Sequence, residues 1–268
     1  MIDGVDLDHV AIAVEQRADA WPRFLLDLGG TWYSHGPGFG FAFCQLAYAN
    51  GMRVEILKPD GDDGFLRRFL DHNGPGPHHL TFKVTDIEAA IAAADAAGYP
   101  PVGVNLDDPE WKEAFLHPKA AHGVVVQLAQ EADSPTGEWR TAPPEGLPIS
   151  TRAPAALVHV AHAVASLADG LHLFEQLLGG RRVGEGSDES ARWVDLRWPG
   201  PGCVRLLEPM SPTGSVAAWL DGRRGRVHHL AFTCADPAAI DDATPRTDGN
   251  FEVPPDRTPG TRLLLTTG

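Results

Sequence analysis

From Leu7 to Val14 the chain alternates: Val10, Ile12 and Val14 fall on one side, His9, Ala11 and Ala13 on the other. A period of two over such a run predicts a strand with one face packed against helices. Three further runs read the same way. Leu80, Phe82 and Val84 oppose His79, Thr81 and Lys83; Val54 and Ile56 flank Glu55; Val126 and Leu128 flank Gln127. Between strands the period lengthens. One helix is predicted over Arg17–Leu28, closed by Gly29-Gly30, and another over Asp86–Ala97, closed by Gly98, because glycine readily takes the left-handed conformation that ends a helix. Thr85 or Asp86 supplies the N-cap of the second. The unit is strand, helix, then two or three strands, used four times.

The unit recurs because the chain repeats itself. Leu7-Asp8-His9-Val10-Ala11-Ile12-Ala13-Val14 returns 150 positions later as Leu157-Val158-His159-Val160-Ala161-His162-Ala163-Val164. The same offset carries Phe24 to Phe174, Gly29-Gly30 to Gly179-Gly180, Pro59 to Pro209 and His78-His79-Leu80 to His228-His229-Leu230. A weaker repeat, near 70 positions, relates Asp8–Val14 to His78–Val84. Self-similarity of this kind predicts an α+β fold with sheets assembled from paired modules. The segment Glu131–Pro154 is rich in Pro, Gly, Ser and Thr and reads as a linker. The expected domains are therefore 1–130 and 155–268, joined by 131–154, with Trp139 of the linker lying over one half.

Composition narrows the class. Of 268 residues, 43% are hydrophobic and 22% charged, as in an ordinary globular chain. A net charge of −14 argues against a nucleic-acid partner, which needs a basic footprint. No 18-residue apolar run predicts a membrane span, and Met1–Asp6 lacks the basic flank and apolar stretch of a signal peptide. Cys44, Cys203 and Cys234 are scattered, without a CxxC pair, and are expected to be small buried hydrophobes in a reducing, cytoplasmic setting. The expected partner is a small molecule, bound by a monomer or homodimer.

Four polar side chains land on the strand face turned away from the helices: His9, Glu55, His79 and Gln127. Two imidazoles and a carboxylate suit Zn, Co, Ni, Mn or Fe, and the amide adds a neutral oxygen, leaving one or two positions open for substrate or water. Any one of them alone reads as an ordinary sheet residue; their equivalent places in two related modules make them a set. The matching residues of the second half are His159, Arg205 and His229, and Thr261-Arg262-Leu263-Leu264-Leu265 offers no clear fourth ligand. A permanent guanidinium repels a divalent ion, so this second face is expected to be metal-free. His162 falls on the helix-facing side and is expected to be a hydrogen-bonded core histidine. Gly36-Pro37-Gly38-Phe39-Gly40 lacks the context of a dinucleotide-binding turn and reads as a loop.

The runs Leu7–Val14, Val54-Glu55-Ile56-Leu57-Lys58-Pro59, His78-His79-Leu80-Thr81-Phe82, Phe115-Leu116-His117-Pro118-Lys119 and Gly123-Val124-Val125-Val126-Gln127-Leu128 resemble the vicinal oxygen chelate superfamily of glyoxalases, bleomycin-resistance proteins and dioxygenases. Over about residues 5–130 they are most similar to the methylmalonyl-CoA epimerases; the second half is similar at superfamily level only. The resemblance implies tandem βαβββ modules forming curved mixed sheets around one divalent metal, with His9, Glu55, His79 and Gln127 as ligands. It also implies a substrate whose neighbouring oxygens chelate that metal.

Two departures matter. The family position matching Gln127 is typically Glu, which in related glyoxalases also serves as base, and an amide cannot take up a proton at neutral pH. The strand Phe41–Leu46, where an epimerase-type base is expected, has no carboxylate. Glu55 is then the candidate for both ligand and catalytic base, and Lys83 and Lys119 are candidates for meeting a substrate carboxylate or phosphate. The expected activity is that of a metal-dependent epimerase or isomerase, acting through a metal-stabilised enolate on a small oxygenated substrate, an acyl-CoA among the candidates. A glyoxalase-type lyase, an iron-dependent dioxygenase and a non-catalytic ligand-binding resistance protein stay open as alternatives.

Overall fold

The computed structural model describes residues 1–132 and 140–268; Trp139 of the linker lies outside them. The first half runs β1 (Asp6–Ala13), β2 (Thr31–Gly38), β3 (Phe41–Ala47), β4 (Arg53–Pro59), β5 (Gly76–Lys83), β6 (Pro101–Asn105), β7 (Trp111–Leu116) and β8 (Val125–Glu131). The second repeats the order as β9 (Ala156–Val164), β10 (Arg181–Ser187), β11 (Ala191–Arg197), β12 (Cys203–Pro209), β13 (Gly225–Cys234), β14 (Thr244–Pro245), β15 (Phe251–Val253) and β16 (Leu263–Thr267). Two eight-stranded mixed sheets result, ordered β2-β3-β4-β1-β5-β8-β7-β6 and β10-β11-β12-β9-β13-β16-β15-β14. Within each module the first strand pairs parallel with the last, and the remaining strands form an antiparallel meander. These are the tandem βαβββ modules of an α+β fold.

The helices follow the predicted positions with informative differences. Arg17–Leu28 folds as a short 3₁₀ turn, Arg17–Ala20, and a wider π-type helix, Trp21–Asp27, in which the Leu28 amide donates to the Arg23 carbonyl at 3.0 Å. The second copy widens in the same place, at His172–Leu177, so Pro22 is not the cause. Both helices end on a left-handed glycine, Gly29 at φ +64° and Gly179 at φ +70°. The glycines that follow are needed for closeness: a Cβ on Gly30 would stand 2.3 Å from the Phe24 carbonyl oxygen, and one on Gly180 would stand 2.7 Å from that of Phe174.

The helix predicted over Asp86–Ala97 spans Ile87–Ala96, and the Asp86 carboxylate accepts from the Ala89 amide at 3.0 Å. In the fourth module the helix shrinks to one turn, Pro237–Ala239. Two helices outside the predicted unit, Phe65–Asn73 and Ser215–Leu220, join consecutive modules. Gly36–Gly38 belongs to β2, and only Phe39-Gly40 forms the turn of the hairpin.

Spatial proximity groups the chain into two compact units, each drawing on both copies of the repeat. One comprises Met1–Asp8, His79–Pro135 and His159–His228; the other comprises His9–His78, Thr136–Val158 and His229–Gly268. In the first, the ring of Phe82 meets Trp198 edge-on at 5.0 Å and Phe174 at 6.3 Å. A Cβ added to Gly225 there would lie 1.9 Å from the His122 carbonyl oxygen. In the second, Tyr48 packs edge-on against Phe232 at 5.0 Å and donates its hydroxyl to the Phe24 carbonyl at 2.9 Å. Arg23 reaches the Arg257 carbonyl at 3.0 Å and pairs with Asp27 and Asp242. Each module contributes one wholly buried phenylalanine, Phe24, Phe82, Phe174 and Phe232, and each such burial stabilises by about 1.5–3 kcal/mol before entropy is counted. No helix among the described residues is long and apolar enough to cross a membrane.

Candidate metal centre

Strand register decides which side chains share a face. In the parallel pair β1–β4, His9 stands opposite Arg53 and Ala11 opposite Glu55, while in the antiparallel pair β3–β4, Gln45 stands opposite Glu55. His9, Glu55 and His79 are all buried, at 1%, 7% and 6% exposure, where a lone polar group is costly and a shared ligand is favoured. One ligand atom from each lies within 4.8 Å of the others, and His9 Nε2 is 3.5 Å from Glu55 Oε2. Donors held about 2.1 Å from one ion stand about 3–4 Å apart. Two imidazole nitrogens and a carboxylate oxygen at this spacing therefore fit a first-row divalent metal.

Neighbouring side chains orient the donors. Gln45 donates its Nε2 to Glu55 Oε1 at 3.3 Å and accepts at its Oε1 from Arg53 at 3.1 Å. The first bond leaves Glu55 Oε2, the oxygen nearer His9, turned into the cluster. Gln127 shares the face and is buried, with its amide already engaged: Oε1 accepts from the Thr81 hydroxyl at 2.6 Å and Nε2 donates to Glu113 at 2.6 Å. A carboxylate can only accept, so the second bond fixes which end of the amide faces Glu113. One lone pair of Oε1 remains beyond Thr81.

Lys83 pairs with Asp8 at 3.3 Å and with Glu131, its ammonium 5.9 Å from the Trp111 ring. Lys119 is exposed in the loop after β7. Gln45, Arg53, Thr81 and Glu113 were not singled out from sequence. Their signal was the alternation of β3, β4, β5 and β7, which assigns a face but not a partner until the register is known.

The second half treats the equivalent positions differently. Arg205 holds Asp195 through two bonds, Nε to Oδ1 at 2.7 Å and Nη2 to Oδ2 at 2.8 Å, and lies 5.3 Å from the Trp193 ring centre. Asp195 faces Arg205 across β11–β12 as Gln45 faces Glu55 across β3–β4. An ion pair thus stands where the first half has an amide and a carboxylate. Burial first, and then the Arg205 charge, push the His159 imidazole down to about 4. His162 is fully buried and donates its Nε2 proton to the His122 carbonyl at 2.8 Å, the core role expected of it. Among the described residues, His9, Glu55 and His79 form the one group of three or more His, Cys, Asp or Glu ligands placed to share an ion.

Sheets of repeated βαβββ modules with a His–Glu–His donor set on one face define a class of proteins with a candidate metal centre against a sheet. The chain belongs to the glyoxalase/bleomycin resistance protein/dioxygenase superfamily, whose family model matches residues 8–115. The mitochondrial methylmalonyl-CoA epimerase of Dictyostelium discoideum is 33% identical over 137 residues, spanning 47% of this chain and 78% of that protein. That of Homo sapiens is 31% identical over 130 residues, spanning 46% and 73%. A mutant 4-hydroxymandelate synthase from Streptomyces coelicolor shares the fold across both halves. Its structure spans 86% of this chain and 71% of that one, with a TM-score of 0.62 and 16% identity.

Proposed function

We propose that this protein is a metal-dependent epimerase or isomerase that removes and returns a proton beside a carbonyl of a small oxygenated substrate, an acyl-CoA thioester being the leading class. The observation that carries the reading is the convergence of His9, Glu55 and His79, in the half of the chain that is similar to methylmalonyl-CoA epimerases. A divalent ion bound there would polarise substrate oxygens and acidify the neighbouring C–H. His9, Glu55 and His79 would hold it, and Gln127 would offer a neutral fourth oxygen. Gln45 keeps Glu55 turned toward the histidines.

Proton transfer needs a carboxylate that can take the proton and a group that returns it. Glu55 serves as ligand and as one such carboxylate. Glu113, anchored by Gln127 at 2.6 Å and by the Trp111 indole at 3.3 Å, is the second carboxylate on the same strand face. Gln127 then acts by placing Glu113 rather than by accepting a proton itself.

Incubating the metal-loaded protein with methylmalonyl-CoA and related acyl-CoA esters in deuterated water tests the reading. Deuterium should enter at the acidic carbon, and Glu55→Gln should slow exchange at least a hundredfold. Oxygen consumption without exchange would move the protein to the dioxygenases. Binding with neither would leave it a sequestering protein.

A further inference from the structure

Next to the metal centre, the strands β2 to β4 and Arg140 of the linker enclose a cavity of about 420 Å³. Among the described residues its lining carries two guanidinium groups, Arg53 and Arg140, and no carboxylate, in a chain whose net charge is −14. Both guanidiniums converge on one ring. The Arg53 Cζ is 4.5 Å from the Tyr33 ring centre and the Arg140 Cζ is 5.2 Å from it. The cation–π contacts hold both guanidiniums against the ring, and two cations held at one ring raise the local potential and attract an anion.

The linker is fixed there: the Thr141 amide donates to the Tyr33 carbonyl at 3.1 Å, and its hydroxyl lies 2.7 Å from His35 Nδ1. Arg53 connects the cavity to the metal centre, since it stands opposite His9 in register and bonds Gln45, which bonds Glu55. The arrangement belongs to the first half alone. At the 150-residue offset, Cys203 replaces Arg53 and Val183 replaces Tyr33.

We propose that this cavity binds an oxyanion, carboxylate or phosphate, carried by the substrate at a distance from its metal-chelating oxygens. The substrate is then a small organic anion, chelating at one end and negatively charged at the other. The guanidinium fork suits both oxyanions, offering paired donors in a plane. The inference rests on the proposed function for the chelating end of the substrate and not for the cavity itself.

Calorimetric titration of the metal-loaded protein with malonate and, separately, with inorganic phosphate tests the proposal. One site per chain is expected for at least one probe, weakened at least tenfold in Arg140→Gln and partly restored in Arg140→Lys. Arg140 is exposed on the linker, so neither variant should alter folding or metal content, which elemental analysis and circular dichroism would check. Tighter malonate binding assigns a carboxylate to the cavity, and tighter phosphate binding assigns a phosphate. Equal affinity of wild type and Arg140→Gln for both probes overturns the inference, whatever metal is bound. A protein that holds no metal but keeps the tenfold Arg140 effect overturns the proposed function and leaves the cavity assignment standing.

Discussion

Glu55 is the residue on which the site turns, and the chain surrounds it with groups that fix its direction. Gln45 holds one carboxylate oxygen while the other faces His9. Partners that orient a metal ligand commonly account for 10–100-fold in metal affinity. Gln45→Leu is therefore expected to weaken metal binding by that factor while leaving the fold intact, as measured by competition against a chromogenic chelator. Unchanged affinity would mean that Glu55 needs no such support. The shared strand face of His9, Glu55, His79 and Gln127 was legible in sequence because each interrupts an alternating apolar run at an equivalent place. Gln45 and Glu113 alternate just as visibly, yet their roles depend on which residue stands across the strand pair, and alternation assigns a face without naming that partner. The 2.6 Å bond from Gln127 to Glu113 likewise depends on β7 pairing with β8.

At the scale of elements, strand periodicity and the paired glycines located the modules, and the wide helices and the helices between modules escaped. A π-type widening keeps the apolar spacing of Phe24 and Leu28 nearly unchanged, so the pattern does not betray it. β9 carries the clearest energetic consequence. Burial pushes His162 down from the usual 6.5 to about 4, and His159 falls to a similar value. In the unfolded chain both take up a proton near pH 6.5, whereas the folded chain resists protonation until about pH 4. The stability of the neutral forms is thus complete above pH 6.5 and is lost as pH falls toward 4. The loss reaches up to about 3 kcal/mol for each histidine. Urea unfolding between pH 7 and 4.5 should show this decline, and His162→Gln should flatten it by up to about 1.4 kcal/mol per pH unit. An identical slope in the variant would place the acid sensitivity elsewhere.

The whole molecule combines the two copies more closely than a bead-on-string reading of 1–130 and 155–268 suggests. Phe82 packs on Trp198 and Phe174, and Tyr48 packs on Phe232, so each compact unit takes its core from both halves. Residues 1–131 expressed alone would leave Phe82 and Tyr48 without these neighbours. That fragment is expected to self-associate at micromolar concentration, as ultracentrifugation would reveal; a stable, well-folded monomer would contradict the shared core. The duplication itself was plain in sequence. How its four modules share their cores was not, because Phe82 and Phe232, or Phe24 and Phe174, are equivalent by pattern and differ only in what they meet.

The central claim is asymmetry: one copy of the repeat carries a donor set that fits a metal, and the other has the Arg205–Asp195 pair in place of the carboxylate. Elemental analysis of purified protein tests it most directly. Wild type and Arg205→Ala should each carry about one divalent metal per chain, and Glu55→Ala should carry almost none. Two metals per chain in the wild type, or an undiminished content in Glu55→Ala, would contradict it.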